Sequence, residues 1–138
     1  MDTSEKNRLL IVDDDKANLL ELVHILQPTY KLYTAKDGKF AIEQAQKHLP
    51  DLILLDVVMP GMSGFEVLAE LKKSDLTKMI PVIFITGLSD NDDERRGFLL
   101  GAADYICKPF DDVIVQHRVS GQISIVNLRR ELEALQKD

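Results

Sequence analysis

The chain has 138 residues, 45% of them hydrophobic and 29% charged, with a formal charge of −6 and a pI near 5.0. That size and balance suit one globular domain with its own core, and the acidic surplus argues against nucleic-acid binding, which needs clustered Lys and Arg. No apolar run approaches the ~18 residues that cross a bilayer, residues 1–8 are too polar for a secretory leader, and the single cysteine, Cys107, has no disulfide or zinc partner. A cytoplasmic protein without membrane contact is expected.

Along the chain, short apolar runs alternate with longer amphipathic segments. Residues 9–12 run unbroken into Asp13, Asp14 and Asp15. Leu19, Leu20, Leu22, Val23 and Leu26 recur at helical spacing over 17–27 until Pro28. Residues 30–34 alternate and are rich in β-formers, and 38–48 return to a helical period. Residues 52–55 are again fully apolar and end on Asp56, then Pro60-Gly61-Met62-Ser63-Gly64 reads as a loop before a helix over 65–73. A third buried run, 81–85, ends at Thr86-Gly87. A helix over 92–100 is closed by Gly101, a short strand covers 105–107 before Lys108-Pro109, and a last helix runs from about 111 to the C-terminus, with Ile114, Val115 and Val119 expected on the sheet.

Five β-α units in succession predict an α/β fold with a parallel sheet and helices on both faces. Strands buried on both sides read as unbroken apolar runs, as 9–12, 52–55 and 82–85 do. All strands of such a sheet point one way, so the residues just after their ends gather on one edge, where open α/β proteins bind ligands. Those residues are Asp13, Asp14, Asp15, Asp56, Thr86 and Lys108.

Carboxylates converging there repel one another unless a cation intervenes. Mg²⁺ takes oxygen ligands, uses one or two carboxylates, and completes its shell with water and phosphate. With Lys108 as a positive charge and Thr86 as a hydroxyl donor, the set suits a phosphoryl group, and Asp56 is the candidate nucleophile for an acyl phosphate.

Four segments in register carry a resemblance. They are Ile11-Val12-Asp13-Asp14; Asp51 through Gly64, with Leu55-Asp56-Val57-Val58-Met59-Pro60-Gly61 at its heart; Ile85-Thr86-Gly87; and Gly101 through Phe110, containing Asp104-Tyr105-Ile106-Cys107-Lys108-Pro109. The chain resembles the receiver domains of two-component response regulators over residues 8–120, with 1–7 as a tail and 121–138 as a helical extension. The resemblance implies a doubly wound (βα)5 sheet in the order 2-1-3-4-5. It implies that Asp56 accepts a phosphoryl group from a sensor histidine kinase or phosphotransfer protein. It further implies Mg²⁺, replaceable by Mn²⁺, on Asp14, Asp56 and the Val58 backbone carbonyl, with Asp13 acting largely through water. Lys108, preceding a cis Pro109, would hold a phosphoryl oxygen. Thr86 would swing to another, and Tyr105 would turn inward into the space Thr86 vacates.

Plainer roles suit other residues. Asp15 is expected to cap the following helix, His24, His48 and His117 lack ligand spacing, and Cys107 reads as a small buried hydrophobe. Asp90, Asp92, Asp93 and Glu94 fit a helix start. Val58 and Leu88, two residues beyond Asp56 and Thr86, cannot orient a hydrolytic water, which predicts slow dephosphorylation. Ile125, Leu128, Leu132 and Leu135 recur at spacings of three and four, predicting a short parallel coiled coil and a homodimer. The resemblance is to receivers that precede a larger output module, so an output domain is expected beyond Asp138. Two rival readings keep the same architecture. An aspartyl-nucleophile phosphatase would carry its nucleophile in an Asp-x-Asp pattern after the first strand, whereas Asp56 stands alone at the end of the third, and a flavodoxin-like cofactor binder would need a phosphate loop where the acidic triplet stands.

Overall fold

The computed structural model describes residues 6–87 and 91–136, with side chains for all of these except 91–94. Five strands alternate with five helices: β1 Arg8–Val12, α1 Lys16–Leu26, β2 Lys31–Ala35, α2 Gly38–His48, β3 Leu52–Asp56, α3 Gly64–Lys73, β4 Val82–Thr86, α4 Asn91–Leu100, β5 Asp104–Cys107 and α5 Asp112–Leu135. The strands form one parallel sheet in the order β2-β1-β3-β4-β5. The (βα)5 architecture expected from the alternating pattern is therefore the one observed.

The period-two geometry of strands sorts their apolar residues onto two faces. Leu10, Val12, Ile53, Leu55 and Phe84 pack with Ala41, Val67 and Leu68 of α2 and α3. Leu9, Ile11, Leu54, Ile83 and Ile85 pack on the other face with Leu19 and Leu22 of α1 and Val115 and Val119 of α5. Leu52, Ile53, Leu54 and Leu55 are all fully buried, and each such side chain stabilises the fold by about 2 kcal/mol at most.

The helices begin where side chains satisfy their free N–H groups. Asp15 accepts from the Ala17 and Asn18 N–H groups at the start of α1, and Asp37 and Asp111 do the same for α2 and α5. Ser63 and Glu66 form a reciprocal capping box on α3, worth about 1 kcal/mol. Asp15 is thus a cap, as expected. Helix α4 starts at Asn91, which places residues 92–94 in its first turn.

Helix α5 departs from expectation at Ile114, which is exposed, whereas Val115, Val119, Ile123 and Val126 are buried. Spacings of four, four and three keep those four on one helical stripe, and Ile114 lies about 100° away from it. The far half of α5 is held to the opposite edge of the sheet. The buried Asp51 carboxylate accepts from the Arg8 backbone N–H at 2.7 Å and from Asn7 Nδ2 at 3.2 Å, and it pairs with Arg130. Asn7 also donates to Asn127 at 3.1 Å. A cavity of about 930 Å³ lies at this edge between Lys6, Arg8, Lys31 and Arg130, away from the acidic cluster.

Candidate phosphoryl and metal site

The acidic groups meet at the C-terminal edge of the sheet. Asp13 follows β1, and its N–H donates to Ala35 O at 3.1 Å, tying it to the end of β2. Asp56 ends β3, opposite Ile85 of β4. Asp13 is fully buried, Asp56 is 3% exposed and Asp14 is exposed. One carboxylate oxygen from each of the three lies within 4.8 Å of the others. Asp15, by contrast, is turned into the α1 cap.

Asp13 Oδ1 accepts the Asp15 N–H at 2.9 Å, and its buried Oδ2 accepts no hydrogen bond. Lys108 Nζ lies 3.3 Å from that oxygen and 3.6 Å from Asp56 Oδ2, an ionic contact without aligned hydrogen-bond geometry. Asp56 Oδ1 accepts the Val58 N–H at 3.3 Å. Burial, together with the negative charge of Asp13, pushes the Asp56 carboxyl up to about 7, against the opposing pull of Lys108 and the Val58 N–H. A buried carboxylate oxygen without a donor, beside a carboxyl that resists ionisation, is an arrangement that a cation would satisfy. The donor set is all oxygen, so a hard divalent ion such as Mg²⁺ fits it.

Backbone packing fixes where Asp56 sits. The Gly64 N–H donates to Val57 O at 2.9 Å, and a Cβ on Gly64 would stand 2.3 Å from the Asp56 carbonyl oxygen. Only glycine permits that approach.

On the other side of the site, the Thr86 hydroxyl donates to Cys107 Sγ at 3.7 Å, and the Lys108 N–H donates to Thr86 O at 2.7 Å. The Lys108-Pro109 peptide is cis, as the resemblance implied. Cys107 is exposed, not buried as the sequence suggested. It is the last residue of β5, an edge strand, where the sheet rim opens to solvent. Tyr105 is 6% exposed, its ring against Phe84 (centroids 5.8 Å apart) and Phe98 (4.9 Å). The Val58 side chain is exposed, and Leu88 lies outside the described residues. His24, His48 and His117 sit on separate helices, with His48 stacked on Tyr33 at 3.9 Å.

A family model described as the response regulator receiver domain matches residues 9–120. The chain belongs to the response-regulator receiver family. It is 46% identical over 114 residues to response regulator PleD of Caulobacter vibrioides, covering 81% of this chain and 25% of that protein. It is 36% identical over 106 residues to protein PilH of Pseudomonas aeruginosa, covering 76% of this chain and 88% of PilH. Among solved structures, the chemotaxis response regulator CheY4 of Vibrio cholerae superposes with a TM-score of 0.81 at 29% identity, covering 86% of this chain and 99% of that one. The receiver thus spans about a quarter of PleD. A receiver is a signalling domain that accepts a phosphoryl group from a kinase and controls an output, and with membership shown the two rival readings fall away. Among the described residues, no helix is long and apolar enough to cross a membrane.

Proposed function

We propose that Asp56 is the phosphoacceptor of this receiver and that Asp13, Asp14 and Asp56 hold its Mg²⁺. The observation that carries the reading is the buried Asp56 carboxylate flanked by Asp13 and by the Lys108 ammonium. A carboxylate oxygen of Asp56 attacks the phosphorus of a partner's phosphohistidine. The P–N bond breaks, a P–O bond forms, and the imidazole leaves and recovers its proton. Lys108 draws one phosphoryl oxygen toward the floor of the site, and the Val58 N–H stays on the acceptor carboxyl. Bound at the three aspartates, Mg²⁺ would neutralise the remaining phosphoryl charge. The exposed Asp14 would be the accessible ligand, Asp13 would act largely through water, and the Val58 carbonyl would complete the protein's share.

The Thr86 hydroxyl exchanges its weak Cys107 partner for a phosphoryl oxygen, which makes phosphorylation legible at the β4–β5 edge. On α5, Ile125, Leu128, Leu132 and Leu135 are between 48% and 77% exposed, a seam two heptads long. A second copy pairing in parallel along that seam buries it. The short coverage of PleD supports an output domain beyond residue 138.

Incubation with acetyl phosphate and Mg²⁺ tests the core of this reading. A mass gain of one phosphoryl group, absent from Asp56→Asn and from the metal-free protein, is expected. A wild-type chain that stays unmodified with acetyl phosphate and with histidine kinases overturns it.

A further inference from the structure

The Tyr105 ring is already inside, yet the Thr86 hydroxyl still faces Cys107. The two halves of the expected exchange are therefore out of step, and the room for the ring comes from elsewhere. It comes from α4. A Cβ built on Gly97 would lie 1.8 Å from the Tyr105 hydroxyl oxygen and 2.8 and 2.9 Å from two ring carbons of Phe84. Contacts that short do not occur, so any side chain at residue 97 conflicts with the present ring position. Gly97 is itself buried, and the neighbouring Phe98 covers the Tyr105 ring edge-on. An open groove of about 370 Å³ lies on the outer side of β5, bordered by Phe98, Cys107, Ile114 and Arg118 as well as Tyr105. An expelled ring has that groove to enter.

We propose that Gly97 is a positioning residue that sets the Tyr105 ring inside independently of phosphorylation, by supplying the space that Thr86 would otherwise have to vacate. The inference rests on the proposed Asp56 switch only for its consequence. Phosphorylation then reports through Thr86 and the β4–β5 edge, while the aromatic half of the face is fixed beforehand. Alanine is the better helix former, so a Gly97→Ala change acts against the ring and not against α4 itself.

The test reads the Tyr105 ring by NMR, through its cross-peaks to the Phe84 and Phe98 rings, in the full chain. Strong cross-peaks are expected in the unphosphorylated wild type and in Asp56→Asn, unchanged on adding acetyl phosphate and Mg²⁺ to the wild type. In Gly97→Ala they fall by about tenfold, a shift from mostly inward to mostly outward. In Gly97→Ala/Thr86→Ala, where the second change reopens space beside the ring, they return. A wild-type ring that is outside until phosphoryl is added overturns the proposal, as does a Gly97→Ala ring that stays inside. The wild-type comparison can still overturn the proposal if Gly97→Ala does not fold. Failure of Asp56 to gain mass removes the phosphoacceptor reading and leaves the unphosphorylated ring measurement standing.

Discussion

The Lys108 ammonium stands 3.3 Å from Asp13 Oδ2 and 3.6 Å from Asp56 Oδ2, so one lysine serves two buried carboxylates. Neither contact is an aligned hydrogen bond, which leaves the ammonium free to turn toward an incoming phosphoryl oxygen. Lys108→Met is expected to slow phosphorylation by acetyl phosphate by about 100-fold, the scale of losing one preorganised charge donor at a transition state. The same change pushes the Asp56 carboxyl further up, because the one cation opposing its burial is gone. Mass spectrometry over a time course measures the rate, and a variant within twofold of wild type would remove Lys108 from the phosphoryl site.

The raised Asp56 carboxyl makes a specific demand on pH. Its ordinary value is 3.8 and its folded value is about 7, so between those limits the folded chain holds a proton that the unfolded chain has released. Stability from this group is fully present below about pH 4 and is lost as pH rises toward 7, by at most about 4 kcal/mol. Mg²⁺ bound beside Asp56 would favour the ionised form and so reverse the trend. Metal-free wild type should lose more melting temperature than Asp56→Asn between about pH 5 and about pH 7.5, and added Mg²⁺ should raise the wild-type value most at the higher pH. Parallel melting curves for the two proteins would contradict the assignment.

The parts of the fold that were legible in the sequence are those where one local pattern has one physical cause. Residues 52–55 could be buried on both faces only in an interior parallel strand, and Asp13 and Asp56 follow from where such strands end. Asp51 was not legible as a structural anchor. It precedes a strand much as any turn aspartate does, and its partners Arg8 and Arg130 lie 43 and 79 residues away. The closeness of Gly97 to Tyr105 has no local signal, since the ring that its Cβ would strike belongs to a strand. Cys107 was misplaced because its exposure depends on β5 being an edge strand.

Gly64 should tolerate no side chain. Its hypothetical Cβ meets the Asp56 carbonyl oxygen at 2.3 Å, the Val57 Cα at 2.9 Å and the Asp56 carbonyl carbon at 3.0 Å. All are backbone atoms of the strand end that presents Asp56, and none can rotate away. Gly64→Ala is expected to cost about 2 kcal/mol or more and to slow phosphorylation by shifting the Asp56 carboxyl. Denaturant titration measures the first effect, and stability unchanged within about 0.5 kcal/mol would show that the loop yields.

Val58 keeps its N–H on Asp56 and its apolar side chain in solvent at the mouth of the site. That side chain has no polar atom with which to hold a water in line with an acyl phosphate. The phosphorylated wild type should therefore be long-lived, and Val58→Asn, which adds a donor and an acceptor, should shorten its lifetime by about tenfold, the low end of what a positioned polar group contributes. Loss of phosphoryl mass after removing acetyl phosphate gives the lifetime. Equal decay in both proteins would mean that the water is positioned elsewhere.

The Asp51 anchor ties the far half of α5 to the sheet edge opposite the acidic cluster, and is expected to hold rigid the part of the helix that carries the exposed Ile125, Leu128, Leu132 and Leu135. Three donors converge on this carboxylate, from the Arg8 backbone, the Asn7 amide and the Arg130 guanidinium. Asp51→Ala orphans all three and should cost about 2 kcal/mol. Arg130→Ala leaves the two Asn7 and Arg8 bonds intact and should cost about 1 kcal/mol or less, because the arginine is largely exposed. Both changes should raise amide exchange over residues 127–135 while leaving exchange at Asp56 and Thr86 unaltered, since an end turn without tertiary contacts frays. Exchange that rises equally across the sheet would instead make Asp51 a general stability residue. If two copies pair along this face as proposed, pairing that survives fraying of α5 would show that the anchor does not set its presentation.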